Sequence, residues 1–216
     1  MKKLILSKNY AGIRKALSES PKLVDEGWPY DDKNSTLGHP LHRLCDLVFS
    51  GELTEEEAVK IAEIFLASGA NVNGHEMILK KDTPLVAASS LHADKVAILY
   101  IEHGANINHQ GAHGGTALHW AAWCGRDILV KTLIEGGTDI DKRCIDFQAT
   151  PLFWAVLSYK EENDKHNQLE CIRLLIEAGA DKNIPNGNDK TIYSLINGDD
   201  LELKKLISNR GTPPKG

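Results

Sequence analysis

An all-α solenoid of about six helix pairs is the fold this 216-residue sequence predicts, and three observations predict it. One short signature opens a unit five times: His39-Pro40-Leu41-His42, Thr83-Pro84-Leu85-Val86, Thr116-Ala117-Leu118-His119, Thr150-Pro151-Leu152-Phe153 and Thr191-Ile192-Tyr193-Ser194. A second closes four of them: Gly69-Ala70-Asn71-Val72-Asn73, Gly104-Ala105-Asn106-Ile107-Asn108, Gly137-Thr138-Asp139-Ile140-Asp141 and Gly179-Ala180-Asp181-Lys182-Asn183. Between the two, stretches such as 96–101, 128–134 and 171–176 carry apolar residues three and four apart, the spacing of a buried helix face. The opening signatures are 44, 33, 34 and 41 residues apart. Two signatures in fixed order at a nearly constant period describe a stack of like units, each packing on its neighbours.

Taken in order, residues 1–36 read as an N-terminal capping unit and connector. Short helices are expected over 4–8 and 11–17, with Ile13, Ala16 and Leu17 on one face, and turn chemistry follows in Trp28-Pro29-Tyr30-Asp31-Asp32. Four central units fill 37–190. In each, a Thr hydroxyl can accept hydrogen bonds from the free N–H groups that start a helix. Pro40, Pro84 and Pro151 sit at the first helical position, where a missing N–H costs nothing. Paired alanines such as Ala121-Ala122 let neighbouring helices come close. Gly69, Gly104, Gly137 and Gly179 supply the left-handed residue that ends the second helix. From there to the next opening residue the chain reads as a β-hairpin-like finger.

Two units are enlarged. Opening residue to closing glycine is 21 residues for Thr83 and Thr116, but 30 for His39 and 29 for Thr150. About one extra helical turn or loop is therefore expected between the helices of each, in 46–55 and 158–167. The second contains the polar run Lys160-Glu161-Glu162-Asn163-Asp164-Lys165-His166-Asn167, which reads as a solvated loop. Residues 191–210 form a C-terminal capping unit, with helices over 191–196 and 201–207, because the end of a stack needs a polar outer face. One domain thus covers 1–210, and the Pro/Gly tail 211–216 is expected to be disordered.

Composition narrows the function classes. A net charge of −5 argues against broad, non-specific nucleic-acid binding, which needs a basic face. The apolar run near the N-terminus, Leu4-Ile5-Leu6, is too short for a signal-peptide core, and no apolar run approaches a membrane span. Cys45, Cys124, Cys144 and Cys171 form no C-x-x-C pair, which fits reduced thiols in the cytoplasm. The sequence holds no H-E-x-x-H, no G-x-S-x-G and no phosphate loop.

The Thr116-Ala117-Leu118-His119-Trp120-Ala121-Ala122 core, with Gly125 three residues on, resembles the ankyrin signature, and the resemblance covers most of the chain. It implies an ankyrin-repeat solenoid that acts as a protein–protein interaction module, an inhibitor or adaptor, without enzymatic activity, cofactor or metal. The expected partner is a protein, with no nucleic acid or membrane involved, and the chain is expected to be monomeric. The resemblance also implies that the rings of His42 and His119 hydrogen-bond the backbone of a neighbouring finger. It further implies which positions look into the concave groove: the residue after the signature His and the two residues after Ala-Ala.

Those positions hold Trp120, Trp123 and Cys124 in one unit and Trp154, Leu157 and Ser158 in the next. The preceding unit has Ala87, Ser90 and Leu91 there, and the first has Arg43. Trp120 and Trp123, three apart, share a helix face, and Trp154 should stand beside Trp120. A tryptophan cluster on a groove suits a binding hot spot; the alternative is that these rings fill helix–helix seams. His113, Lys142 and Arg143, with Lys80 and Lys81, suggest a basic rim at the finger tips, offset by Asp82 and Asp146. The partner-binding set is therefore Trp120, Trp123, Cys124, Trp154, Leu91, Leu157, His113, Lys142 and Arg143. Two further readings stand beside it: an enzyme or metal protein using His92, His113, Cys124 and Cys144, and a unit that self-associates through its tryptophans.

Overall fold

The computed structural model describes residues 1–30, 33, 36–74, 77–161, 165–196 and 200–208. The chain divides into two compact units, Met1–Asn106 and Ile107–Gly216. The tail at 211–216, and Asp31 and Asp32 of the expected turn, lie outside the described residues.

The first unit contains α1 (Lys2–Leu6), α2 (Tyr10–Glu19), α3 (Pro40–Phe49), α4 (Glu55–Ala67), α5 (Pro84–Ser90) and α6 (Asp94–Glu102). Helix α3 packs on α5, and α4 on both α6 and α2. Leu41, Leu44, Ile61, Phe65, Leu85 and Tyr100 make its core. The Tyr100 hydroxyl donates to the Leu41 carbonyl at 2.8 Å, so this phenol is buried without losing a hydrogen bond. The second unit contains α7 (Ala117–Trp123), α8 (Asp127–Glu135), α9 (Pro151–Glu161), α10 (Lys165–Glu177) and α11 (Leu201–Ser208). There α7 packs on α9 and α8 on α10, around Leu118, Leu129, Leu133 and Leu152.

The helix ends follow the expected chemistry. Thr83 and Thr150 accept at Oγ1 from the backbone N–H of Val86 (3.4 Å) and Phe153 (3.2 Å). Gly69, Gly104, Gly137 and Gly179 have φ of +94°, +80°, +79° and +96°. The next residue's N–H reaches back five positions in each case, as from Ala105 to Tyr100 O at 3.0 Å, which closes the helix in a Schellman turn.

A second use of the closing signature emerges only in three dimensions. The side chain of its fifth residue accepts from the backbone N–H of the third residue one unit later. Asn73 accepts from Asn106 at 2.8 Å, Asn108 from Asp139 at 2.9 Å, and Asp141 from Asp181 at 3.0 Å. Asp25 does the same for Asn71 at 2.9 Å, and it also holds His39 Nε2 at 2.7 Å. His39 in turn caps α3 by accepting at Nδ1 from Leu41 N–H (3.2 Å), so it combines the opening Thr's capping role with a tie to the connector.

Several expectations need comment. The insertion at 158–167 is not mainly a loop: α9 and α10 have 11 and 13 residues against 7 and 9 in α7 and α8, so most of the extra chain lengthens both helices. Residues 162–164, between them, lie outside the described residues. At 46–55 the helical-turn alternative holds in part, with α3 running to Phe49 and α4 starting at Glu55. The β-hairpin-like fingers are closed by bonds such as Cys144 N–H to Ala149 O at 2.9 Å, and among the described residues the one strand pair is β1 (Trp28–Pro29) with β2 (Leu37–Gly38), antiparallel. The closing pair opens with a 3₁₀ turn, Ile192–Leu195, in place of an α-helix.

Arg43 is a further correction. It does not look into a groove; it is buried and donates to Trp28 O (Nε, 3.1 Å), Thr36 O (Nη2, 2.8 Å) and Asp46 Oδ2 (Nη1, 2.6 Å). A Cβ on Gly38 would lie 2.5 Å from its Cζ, so only glycine lets the guanidinium clamp the connector onto α3.

Candidate aromatic binding site

The site grows from the start of α7. Thr116 N–H donates to His119 Nδ1 at 3.0 Å, and the other ring nitrogen, Nε2, donates to the Ala149 carbonyl at 3.1 Å. This pattern fixes the neutral tautomer with its proton on Nε2. Burial lowers the His119 pKa to about 4, although its backbone hydrogen bonds to Ala149 and Lys142 push the other way. The ring thus pins the first turn of α7 to the finger before α9, as the repeat signature implies. The His42 ring in the first unit is likewise bonded to the backbone of Asp82, and its pKa is lowered chiefly by burial.

With Ala121 and Ala122 fully buried on the seam, Trp120 and Trp123 take the remaining face of α7, and both are half-buried. Trp154, the equivalent of Trp120 one unit on, stands against both. Its ring centroid is 5.2 Å from that of Trp120 at 88°, and 6.0 Å from that of Trp123 at 77°. These are edge-to-face contacts, the favoured arrangement for aromatic pairs. Trp154 is only 6% exposed, so it floors the site. A Cβ at Gly115 would stand 3.2 Å from Trp154 Cη2 and 3.4 Å from Trp120 Nε1, so glycine there admits both indoles. Trp120 Nε1 is buried with no hydrogen-bond partner among the described residues.

Two fingers complete the walls. His113, at φ +54°, lies beside Trp120 (6.2 Å) and Phe147 (5.6 Å). Its carbonyl accepts from Asp146 N–H at 3.1 Å, and its Nδ1 is 3.3 Å from Asp146 Oδ2. Gly114 packs directly on Ile145, where a Cβ would come within 2.3 Å of Ile145 Cβ. Phe147 O accepts from Gly187 N–H at 2.9 Å, which ties it to the following finger. At the far end of α7, the Trp123 carbonyl accepts from Ser158 Oγ and Gln168 Nε2, both at 2.6 Å. Those donors sit on the lengthened α9 and on α10, so the enlarged unit braces the helix that carries the tryptophans.

The result is an open pocket of about 400 Å³, lined by His113, Trp120, Trp123, Phe147, Ala149, Phe153, Trp154, Leu157 and Asn186. It gathers five of the nine residues expected from sequence: Trp120, Trp123, Trp154, Leu157 and His113. Cys124 is half-buried at the C-cap of α7, outside the lining. Leu91 caps the end of α5 in the first unit. Lys142 and Arg143 do not line the pocket; Arg143 Nε donates to Gln148 O at 2.8 Å and braces its own finger. Phe147 and Asn186 are additions. Phe147, 52% exposed, was legible as an aromatic at a finger tip, whereas Asn186 carried no signal.

The histidine and cysteine constellations are placed elsewhere. His92, at φ +60°, fills the turn that Gly125 makes at +66° one unit later, and its ring meets Phe49 edge-on at 6.4 Å. Cys144 is buried, with its Sγ accepting from Ala149 N–H at 3.4 Å. Among the described residues, no three His, Cys, Asp or Glu side chains are grouped to hold a metal ion. None of the described helices is long and apolar enough to cross a membrane.

Comparison with known proteins agrees with this architecture. A family model described as ankyrin repeats in three copies matches residues 53–144, and a single ankyrin repeat matches 148–187. Alpha-latrotoxin-Lg1a of Latrodectus geometricus is 33% identical over 144 residues, covering 54% of this chain and 10% of its own length. Ankyrin repeat and SOCS box protein 6 of Mus musculus is 27% identical over 122 residues (55% and 28%). Rabankyrin-5 of Homo sapiens is 28% identical over 134 residues (62% and 11%). The chain therefore spans between a tenth and just over a quarter of the length of these relatives.

Proposed function

Because this chain belongs to the ankyrin-repeat family, whose repeats are protein–protein interaction modules, we propose that its second unit captures a protein partner in the aromatic pocket between α7 and α9. One observation carries the reading. Trp120 and Trp123 sit at positions the repeat does not need for its own construction, yet they converge with Trp154 and Phe147 on one open cavity. Large aromatic anchors around a preformed pocket are the usual core of a binding hot spot. Packing of α7 on α9 and the clamp on the Trp123 carbonyl hold the rings in place before a partner arrives, which lowers the ordering cost of binding.

In this reading the chain works as a monomer, without cofactor or catalysis, as an inhibitor or adaptor. Its cysteine usage supports a cytoplasmic setting. The test is affinity capture from a cell extract with the wild type and with Trp120→Ala/Trp123→Ala, after circular dichroism confirms equal helix content. The double variant should lose the partners that the wild type retains. Equal capture of the same partners by both would show that the pocket is not the binding site.

A further inference from the structure

Four of the rings at the pocket form a closed circuit. Trp154 meets Trp120 at 5.2 Å, Trp120 meets His113 at 6.2 Å, His113 meets Phe147 at 5.6 Å, and Phe147 returns to Trp154 at 6.3 Å. Successive rings are inclined by 88°, 45°, 34° and 60°, so they do not stack into a column. All four rings line the same open cavity at neighbouring separations of 5.2–6.3 Å, the scale of the ~6 Å range over which a ring face attracts a cation. Beside the pocket wall, Asp146 Oδ2 lies 3.3 Å from His113 Nδ1. No lysine or arginine is among the lining residues.

We infer that this box takes a methylated ammonium side chain, a trimethyl-lysine carried by the protein partner, in preference to an aliphatic side chain of the same shape. The inference rests on the pocket being the partner site. An unmodified lysine ammonium has three N–H donors and is strongly hydrated, and the lining is almost wholly apolar, so entry would leave those donors unpaired. Methylation removes the donors and spreads the charge over methyl groups. The cation then gains from the ring quadrupoles without needing hydrogen bonds. An aliphatic group of equal size gains only the apolar contact.

The experiment titrates the full chain with three short peptides that differ at one side chain, following tryptophan fluorescence and calorimetry. The side chains are trimethyl-lysine, its neutral isostere with carbon in place of the quaternary nitrogen, and plain lysine. Trimethyl-lysine should bind about five- to thirty-fold tighter than the carbon isostere, and plain lysine weakest. Phe147→Leu, at an exposed position where the fold does not depend on the ring, should reduce that preference to near unity. Equal or tighter binding of the carbon isostere overturns the inference and leaves the pocket as an apolar partner site. So does a failure of all three peptides alongside partner capture that still depends on Trp120 and Trp123. Binding to phosphatidylcholine vesicles but not to the trimethyl-lysine peptide would assign the box to a lipid headgroup, and also overturns it. Capture that does not depend on the tryptophans defeats the partner-site reading itself, a separate outcome.

Discussion

Acid should weaken the second unit through His119, by an amount the structure sets. The ring is buried, accepts at Nδ1 from Thr116 N–H, and is held neutral with a pKa of about 4 against an ordinary value of 6.5. The unfolded chain therefore takes up the proton first. The histidine's contribution is fully present above about pH 6.5 and declines as the pH falls toward about 4; below that both states are protonated and the decline stops. At about 1.4 kcal/mol for each pH unit between the two values, the loss comes to roughly 3 kcal/mol. The comparison variant is His119→Gln, because Gln at the third helical position keeps a capping-box acceptor without titrating. The assay is urea unfolding at pH 7, 6, 5 and 4.5, followed by tryptophan fluorescence; three of the four tryptophans lie in this unit. The wild type should be more stable at pH 7, with its advantage shrinking across the series. His42 and the carboxylates are common to both chains, so their titrations cancel in the difference. Parallel stability curves from pH 7 to 4.5 would refute the assignment of His119 as a buried neutral pin.

Two further predictions concern the frame around the pocket. Gly114→Ala places a Cβ at φ +68° and 2.3 Å from Ile145 Cβ, and should cost about 2–4 kcal/mol in chemical unfolding. Gly137→Ala, at φ +79° with no neighbour within 4 Å, should cost only about 1 kcal/mol, and equal losses would contradict the finger contact. Asp141→Asn should leave stability at pH 7 unchanged or raised, since Asn73 and Asn108 make the same bond. Burial, with the charges of Asp181 and Asp139, raises the Asp141 pKa. Its contribution is therefore complete below the ordinary carboxylate value of 3.8 and is lost as pH rises through its folded value. The variant's relative stability should climb over that interval, and a loss at pH 7 above about 1 kcal/mol would count against this account.

Much of the candidate site was legible before folding. Trp120 and Trp154 occupy the same place in successive units, so repeat register alone put them side by side, and the three-residue step to Trp123 put it on the same face. Register could not say how deep each ring lies. Trp154 is a floor and Trp123 a wall because Gly115 opens room beneath one and the lengthened α9 and α10 set the position of the other. Arg43 misled for a related reason: its place in the repeat resembles that of Trp120, but the first unit has a connector whose carbonyls draw the guanidinium inward. Lys142 and Arg143 looked like a rim because charge at a loop tip reads as solvated; Arg143 instead braces its own backbone.

The sequence by itself determined the repeat, the helix starts and stops, and the helix that would carry the tryptophans, because these rest on local rules: capping, proline, left-handed glycine and helical period. Only the tertiary structure decided that Asn73, Asn108 and Asp141 tie successive units together, that the second insertion extends helices, and that His113 and Phe147 close a ring of aromatics with Trp120 and Trp154. The three inter-unit hydrogen bonds and the His113–Phe147 contact join residues 30 or more positions apart in the chain, and they exist only once neighbouring units have packed.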